Sequence, residues 1–324
     1  MNRIKNIITT LSLATAAFLL PAISQAEAVI ELQATQVSPH VYYFGGQAGM
    51  ASQENKGFMS NAGFVVTGEG VVVFDALGTP ALGTAMVKAI AKITDQPIKR
   101  VIVSHYHADH FYGLQALKAQ GAEIWAHTKG QNYLYSDSAQ ERLQQRRNDL
   151  APWVDENTRM LPADRWLTFD QGSVMPFTLG NVSFQLIDVS GAHADDDVML
   201  YVETDGILFA GDLFFTGRIP FVGDADSKAW LAAMDRMLQI KPKRVIPGHG
   251  AVSDDPAKDM QLTREYLIFL REHMGQAVAD FLSFDEAYEN VDWSRYENYP
   301  AFENANRPNA FGQYLRMEKE SLGG

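Results

Sequence analysis

Apolar and polar positions alternate along the chain in two distinct patterns. Runs of β-branched residues predict strands, and stretches with apolar residues three or four positions apart predict helices. In the first half of the chain, the predicted strands are residues 41–44, 62–66, 70–74, 100–104 and 123–126. The predicted helices there are residues 80–93 and 113–120, followed by a polar, helical surface insertion at residues 128–149. The sequence Thr67-Gly68-Glu69 predicts a hairpin turn between two of these strands.

The second half of the chain repeats the mixture of strands and helices. The predicted strands are residues 174–178, 182–187, 198–202, 207–210 and 244–246, and a helix is predicted over residues 228–238. A long helical tail is expected from about residue 256 to residue 324. No linker or low-complexity segment interrupts the pattern, so residues 27–324 are predicted to form a single α/β domain.

The two halves resemble each other in the order of their elements. Residues 99–102 read Lys-Arg-Val-Ile and lead to His105, and residues 243–246 read the same and lead to His249. Asp75 and Asp212 each follow an earlier apolar strand of their half. This order predicts a duplicated unit of strand, acidic residue, helix, strand and histidine. Two such halves would pack sheet against sheet, with helices outside and their strand ends at one edge.

The N-terminus has the pattern of an export signal. Arg3 and Lys5 precede an apolar stretch over residues 7–20, and Ser24-Gln25-Ala26 offers small residues for a signal peptidase. We expect residues 1–26 to be removed and the mature chain to be periplasmic or secreted. The alternative is a membrane anchor, but the apolar stretch is short for a span of about 20 residues. No stable membrane insertion is expected after cleavage.

Composition narrows the possible chemistry. The chain has 324 residues, a formal net charge of −12 and no cysteine. The absence of cysteine excludes disulfides, thiolate metal sites and a cysteine nucleophile. The acidic balance argues against a nucleic-acid partner, which would require a basic face. A small-molecule substrate is therefore expected, and a protein partner stays open.

Five of the eight histidines fall just after predicted strands. Residues 104–110 read Ser-His-Tyr-His-Ala-Asp-His, in which His105 and His107 alternate and can chelate one ion. Asp109 and His110 belong to the following turn and can face a second ion. His193, Asp212 and His249 lie in Gly-rich stretches that we expect to be loops past later strands. A shared divalent-metal site is the best interpretation of these positions, and Tyr106 is expected to point away from it.

The combined motifs resemble those of the metallo-β-lactamase superfamily over about residues 40–255. The motifs are His-x-His-x-Asp-His, Gly-x-His, Gly-Asp and Pro-Gly-His-Gly, in that order. The resemblance implies a four-layer αβ/βα sandwich with two pseudo-repeated halves and two Zn²⁺ ions. It implies that His105, His107 and His193 bind the first ion, that Asp109, His110 and His249 bind the second, and that Asp212 bridges them. It also implies that Asp75 orients a ligand from behind.

A closer resemblance lies in segments 60–66, 74–82, 217–227 and 305–310. They are similar to exported hydrolases of bacterial sulfur-oxidation systems and to quinoprotein relay system zinc metallohydrolases. The implied activity is hydrolysis of a thioester, ester, amide or lactam by a hydroxide held between two metal ions, with Asp109 and Asp212 as catalytic residues. The alternatives are a persulfide dioxygenase with one Fe²⁺, a β-lactamase and a noncatalytic metal or sulfur carrier.

Several residues near these motifs have two interpretations. Arg218 either binds a substrate anion or forms a surface ion pair. Phe214, Phe215 and Phe221 either line an apolar pocket or pack in the core. The tail segment 296–314 either caps the site or covers a sheet edge. The other three histidines, His40, His127 and His273, are expected to be structural or solvated.

Overall fold

The computed structural model describes residues 30–170, 172–223 and 225–323. The predicted signal peptide, residues 1–26, lies outside the described residues. Within them, none of the helices is both long enough and apolar enough to cross a lipid bilayer.

Seven strands of the described chain form the first sheet, in the order in which they follow one another along the chain. The first four strands pair antiparallel, and the last four pair parallel. The strands are β1 (Thr35–Gln36), β2 (Val41–Phe44), β3 (Ala62–Val66), β4 (Val71–Phe74), β5 (Ile98–Ile102), β6 (Glu123–His127) and β7 (Arg165–Leu167).

Five further strands of the described residues form the second sheet. They are β8 (Val174–Leu179), β9 (Val182–Asp188), β10 (Val198–Val202), β11 (Ile207–Phe215) and β12 (Arg244–His249). Their spatial order is β12-β11-β10-β9-β8, with a parallel pair between β11 and β12 and antiparallel pairs elsewhere.

Helices follow or connect these strands. They are α1 (Pro80–Ala91), α2 (Ala108–Phe111), α3 (Leu114–Lys118), α4 (Gly130–Leu134), α5 (Asp137–Asp149), α6 (Ser227–Ile240), α7 (Pro256–Asp259), α8 (Gln261–Ala279), α9 (Phe284–Glu289) and α10 (Phe302–Ser321). Proline at the first turn and a Thr79 side chain that accepts from Leu82 N–H begin α1. The Asp226 side chain caps α6 in the same way.

The two sheets pack face to face with helices on both outer sides. Successive residues of a strand point to opposite faces, so Val71 and Val73 of β4 pack with the helices of the first half. Val72 and Phe74 point the other way, into the layer between the sheets, where they meet Phe209 of β11. A third apolar cluster lies between the second sheet and α6, α8 and α10. The predicted αβ/βα sandwich is confirmed.

The predicted duplication is confirmed at the level of topology. The order β4, α1, β5 and the order β11, α6, β12 each contain a parallel strand pair. The expected strand ends are wrong in the second half, because β11 continues to Phe215 and β12 to His249. Gly211 adopts a positive φ of 55°, and the pairing register shifts on either side of it. Pairing therefore resumes after this bulge, beyond the point where the apolar pattern ends. Strands β1 and β7 were not predicted, since runs of two and three residues are too short to show a period.

Candidate metal centre

All seven predicted metal ligands converge at one edge of the sandwich. His105 and His107 follow β5, Asp109 and His110 belong to α2, and His193 lies in the loop after β9. Asp212 and His249 belong to β11 and β12 rather than to loops, which corrects their expected placement. Their donor atoms form three groups, in each of which the atoms lie within 4.8 Å of one another. The groups are His105, His107 and His193; His105, His110 and Asp212; and Asp109, His110 and His249.

The three-histidine group consists of His105, His107 and His193. His193 Nε2 lies 3.1 Å from His107 Nδ1. A tetrahedral zinc ion with zinc–nitrogen distances of about 2.0–2.1 Å separates two nitrogen ligands by roughly 3.3 Å. Two imidazole nitrogens that face each other at this spacing fit two ligands of one ion.

The mixed group consists of Asp109, His110 and His249. Asp109 Oδ2 lies 3.3 Å from His249 Nε2 and 3.5 Å from His110 Nε2. Asp212 lies between the two groups: its Oδ1 is 3.1 Å from His110 Nε2, and its Oδ2 is 3.3 Å from His249 Nε2 and 3.6 Å from His193 Nε2. A carboxylate in this position can contact ions on both sides.

Hydrogen bonds behind the cluster fix the orientation of three imidazole rings. Asp75 Oδ2 accepts from His110 Nδ1–H at 2.8 Å, and the same carboxylate accepts from the Ser104 backbone N–H and hydroxyl. His105 Nδ1–H donates to Ser104 Oγ at 2.9 Å. His249 Nδ1–H donates to the Met59 carbonyl at 2.8 Å. Each of these rings therefore directs its Nε2 to the centre.

The backbone at Asp75 has an uncommon conformation. Its φ is 62°, in the left-handed region that Asp tolerates better than most residues. Burial raises the pKa of Asp75, while the neighbouring His110 and the Ser104 hydrogen bonds lower it. A strained, buried carboxyl that accepts hydrogen bonds from the candidate ligand His110 and from Ser104 fits the orienting role expected for Asp75.

Asn61 holds the turn that carries His249 through hydrogen bonds, a role that its place in a family motif did not predict. Its Nδ2 donates to the carbonyls of Pro247 and Gly250, both at 2.8 Å, and its backbone N–H donates to Gly248. Gly248 is required because a Cβ at this position would lie 2.0 Å from Asp212 Oδ1. Ser104 and Met59 were missed as well, since a hydroxyl and a backbone carbonyl have no recognisable motif.

Charges within the cluster shift its pKa values in opposite directions. Burial lowers the pKa of His193 to about 3 and the pKa of His105 well below its usual value, so both rings are neutral at pH 7. Burial also opposes the charged form of His110, but the carboxylates of Asp212, Asp109 and Asp75 hold its pKa well above 6.5. For Asp109 and Asp212, burial is outweighed by nearby histidines, which lower both pKa values. The two carboxylates are thus held ionised by the positive charge of neighbouring histidines, a role that a bound cation can take over.

The residues fit divalent metal ions. Among the described residues, His105 Nε2 is buried without a hydrogen-bond partner, and His110 Nε2 and Asp212 Oδ1 are buried with a 3.1 Å contact to each other. Leaving buried polar atoms unpaired is costly, and a metal ion would satisfy all three. Imidazole and carboxylate donors suit zinc and other first-row divalent ions.

A cavity of about 650 Å³ opens above the candidate metal centre. Such a volume accommodates a small molecule. Five apolar residues form one wall: Met50, Met59, Phe215, Phe221 and Val222. Phe215 also stacks on the His249 ring, with centroids 5.0 Å apart and planes inclined by 5°. Phe214 is fully buried in the core, whereas Phe215 and Phe221 line the cavity. Each of the two interpretations therefore holds for part of this aromatic group.

Arg218 lines the cavity but is only 1% exposed, which excludes a surface ion pair. Its Nη1 donates to the Gly49 carbonyl at 2.9 Å, and its Nε donates to the Ile219 carbonyl at 3.3 Å. Within the part of the chain that the structure describes, Nη2 has no hydrogen-bond partner. Burial lowers the pKa of Arg218, and the carboxylates of Asp212 and Asp109 counteract this effect.

The C-terminal tail supports the loop that carries Arg218. Asn309 of α10 accepts from Val222 N–H and donates to the Pro220 carbonyl, both at 2.8 Å. Asn304 and Arg316 of the same helix line the cavity. Helix α10 therefore lies beside the cavity, as one of the two interpretations of segment 296–314 expects, and it packs against α8.

The remaining histidines lie outside the centre. His40 contacts Asp205 at 2.8 Å, His273 contacts the Phe269 carbonyl, and His127 lies 3.4 Å from Asp188. Tyr106 is buried, and its hydroxyl donates to the Leu161 carbonyl, away from the cluster.

Comparisons with known proteins agree with this geometry. The sequence profile of the metallo-beta-lactamase superfamily matches residues 55–249. A metallo-beta-lactamase type 2 of Bacteroides fragilis is 24% identical over 226 residues, covering 68% of this chain and 80% of the relative. A linear primary-alkylsulfatase of a Pseudomonas species is 21% identical over 259 residues, covering 69% of this chain and 48% of the relative.

A solved structure shares the fold. The inverting sec-alkylsulfatase Pisa1 from Pseudomonas sp. superposes with a TM-score of 0.69 and 17% sequence identity, covering 88% of this chain and 50% of that protein. The chain thus spans about half the length of the alkylsulfatases that it matches.

Proposed function

The chain belongs to the metallo-beta-lactamase superfamily, and we propose that it is an exported hydrolase that uses two zinc ions to cleave a small thioester, ester, amide or lactam. Members of this superfamily are mainly metal-dependent hydrolases, such as the β-lactamase and alkylsulfatase relatives. The observation that carries the proposal is the position of Asp212 between the three-histidine group and the mixed group.

The two groups would each hold one ion. His105, His107 and His193 would bind the first, Asp109, His110 and His249 the second, and Asp212 both. Divalent ions held in this way would lower the pKa of bound water and polarise the group under attack.

The side chains of the chain itself would orient the reactants. Asp109 and Asp212 have depressed pKa values and are ionised at neutral pH, so each can accept a hydrogen bond from the attacking water. Asp212 would also accept a proton as the bond to the leaving group breaks. The apolar wall around Phe221 would exclude water from the cavity and hold the nonpolar part of the substrate.

A second candidate activity is hydrolysis of a sulfate ester. The buried Arg218 guanidinium, with Nη2 unpartnered among the described residues, favours an anionic group next to the metal centre. Two of the matched proteins are named alkylsulfatases. A carboxylate next to the scissile bond would satisfy the same arginine.

The first test is the metal content of protein purified from the periplasm without added metal, combined with hydrolysis of thioesters, esters, lactams and alkyl sulfates. Two zinc ions per chain and turnover that chelation abolishes are expected. Asp212→Ala should lose the paired ions and reduce turnover by about 10²–10⁴-fold, the range for loss of an acid–base group. Asp205→Ala is the matched control, because Asp205 is a buried carboxylate with a histidine partner outside the site.

The outcomes separate the alternatives. Normal turnover and full metal content in Asp212→Ala would contradict the proposal. One iron per chain with oxygen uptake on a persulfide would favour the dioxygenase. Bound metal without any turnover, together with specific capture of a redox partner, would favour a carrier.

A further inference from the structure

The cavity above the metal centre has a second polar wall, which the proposed reaction does not use. It is formed by α5, whose residues Ser138, Arg142, Gln145, Arg146 and Asp149 all line the cavity. Their spacing of three and four positions places them on one face of the helix. Ala139 and Leu143, on a neighbouring face, are buried and fix the helix against the first half of the molecule.

Arg142 and Arg146 belong to the six of the 14 described arginines that have no carboxylate within ion-pair distance. The other eight have one, including Arg147 on the same helix and Arg316 on the cavity wall. Arg142 Nη1 donates to Gln145 Oε1 at 2.7 Å, and both side chains line the cavity. Within the described ranges, neither Arg142 nor Arg146 has a carboxylate that would balance its charge.

The remaining carboxylates that line the cavity outside the metal centre are not ion-pair partners of Arg142 or Arg146 within the described residues. Asp226 caps α6 and pairs with Arg316, and Asp196 accepts from the Tyr106 backbone N–H at 3.0 Å. Asp149 and Asp195 are exposed, and neither forms an ion pair with Arg142 or Arg146 within the described residues. The two arginines therefore remain available to a bound molecule.

Tyr133 connects this wall to the metal centre. Its ring lies 6.1 Å from the His107 ring, centroid to centroid. Burial raises the pKa of the Tyr133 hydroxyl, and the guanidiniums of Arg142 and Arg146 oppose this rise, Arg142 also through a hydrogen bond. Tyr133 thus lies between the candidate ligand His107 and Arg142.

We propose that Arg142 and Arg146 form a specificity site for a second anionic group on the substrate, remote from the bond that is cleaved. This inference rests on the proposed function and specifies its substrate class. The substrate would have its reactive group at the metal centre, an apolar segment against Phe221 and Met50, and a carboxylate or comparable anion at α5. The arginines would act on binding rather than on the chemical step.

The test is a calorimetric titration of the metal-loaded protein with straight-chain dicarboxylates of four to eight carbons and with the matching monocarboxylates. At least one dicarboxylate should bind more tightly than the monocarboxylate of equal length. In Arg142→Gln/Arg146→Gln, this advantage should fall by about fivefold to tenfold, the scale of two exposed charge pairs. Arg142→Lys/Arg146→Lys should retain it in part, and added salt should weaken it in the native protein.

The control is Lys88→Gln/Lys92→Gln, which removes the same charge from exposed positions on and just after α1. It should leave the advantage unchanged. Equal binding of dicarboxylates and monocarboxylates by the native protein would overturn the inference, as would an unchanged advantage in the arginine-to-glutamine variant. The titration needs no turnover, so a failure to find hydrolysis would count against the proposed function and leave this result interpretable.

Discussion

The three-histidine group and the mixed group lie side by side but differ in charge. In the three-histidine group, burial depresses the pKa values of His105 and His193, so these two imidazoles are neutral at pH 7. In the mixed group, carboxylates raise the pKa values of His110 and His249. Protons therefore compete with a metal ion more strongly at His110 and His249 than at His105 and His193. The two groups therefore differ in how strongly protons compete with a metal ion for their histidine ligands.

The largest expected effect comes from removing one ligand from each group. His107→Asn removes a ligand of the three-histidine group only, and His249→Asn removes a ligand of the mixed group only. Each variant should lose about one of the two proposed ions, because a site with three protein ligands depends on each of them. Metal analysis of purified variants measures this directly.

The control is His273→Asn, which changes a histidine outside the centre. It should retain both ions. If His107→Asn or His249→Asn also kept both ions, the assignment of these histidines to separate groups would be wrong.

An intermediate effect is expected from residues that orient the ligands through hydrogen bonds. Asp75→Asn removes the carboxylate that accepts from His110 Nδ1–H, and should weaken the mixed group about 10–100-fold. Ser104→Ala keeps this contact and breaks the link to His105 Nδ1, so it should weaken the three-histidine group instead. Competition with a fluorescent zinc chelator gives both affinities. The comparison fails if both variants weaken the same ion.

The smallest effect is a difference in pH dependence. A raised histidine pKa means that a proton competes with the metal at higher pH, and a lowered one means that it competes only in more acidic solution. Because the pKa values of His110 and His249 are raised and that of His193 is about 3, acidification from pH 7 should release the ion of the mixed group first. Dialysis at decreasing pH should show a plateau near one ion per chain. Loss of both ions in a single step would contradict the difference between the groups.

Much of the fold could be predicted because it is encoded locally. Strand β4 is uniformly apolar and lies in the sheet, and Pro80 begins α1 as its sequence predicts. The end of β11 could not be predicted, because the Gly211 bulge allows pairing to resume as far as Phe215 against β12. That pairing depends on a neighbouring strand more than 30 residues away, which local periodicity does not report.

The sequence by itself identified seven candidate ligands and the order of the two halves. Residues 104–110 place three imidazoles and a carboxylate just beyond a strand, and their chemistry is sufficient to predict a metal centre. Asp75, Asp212 and His249 could be named in advance because each follows a predicted apolar strand of a repeated unit.

Only the tertiary structure decided how these residues are held and what lies above them. The Met59 carbonyl orients His249, Asn61 holds its turn through hydrogen bonds, and Arg218 is buried while it lines the cavity. The polar insertion lines the cavity because α5 buries Ala139 and Leu143 on one face and presents Arg142 on another. These relations join positions that are distant along the chain. They arise from packing and long-range hydrogen bonds, for which no local pattern exists.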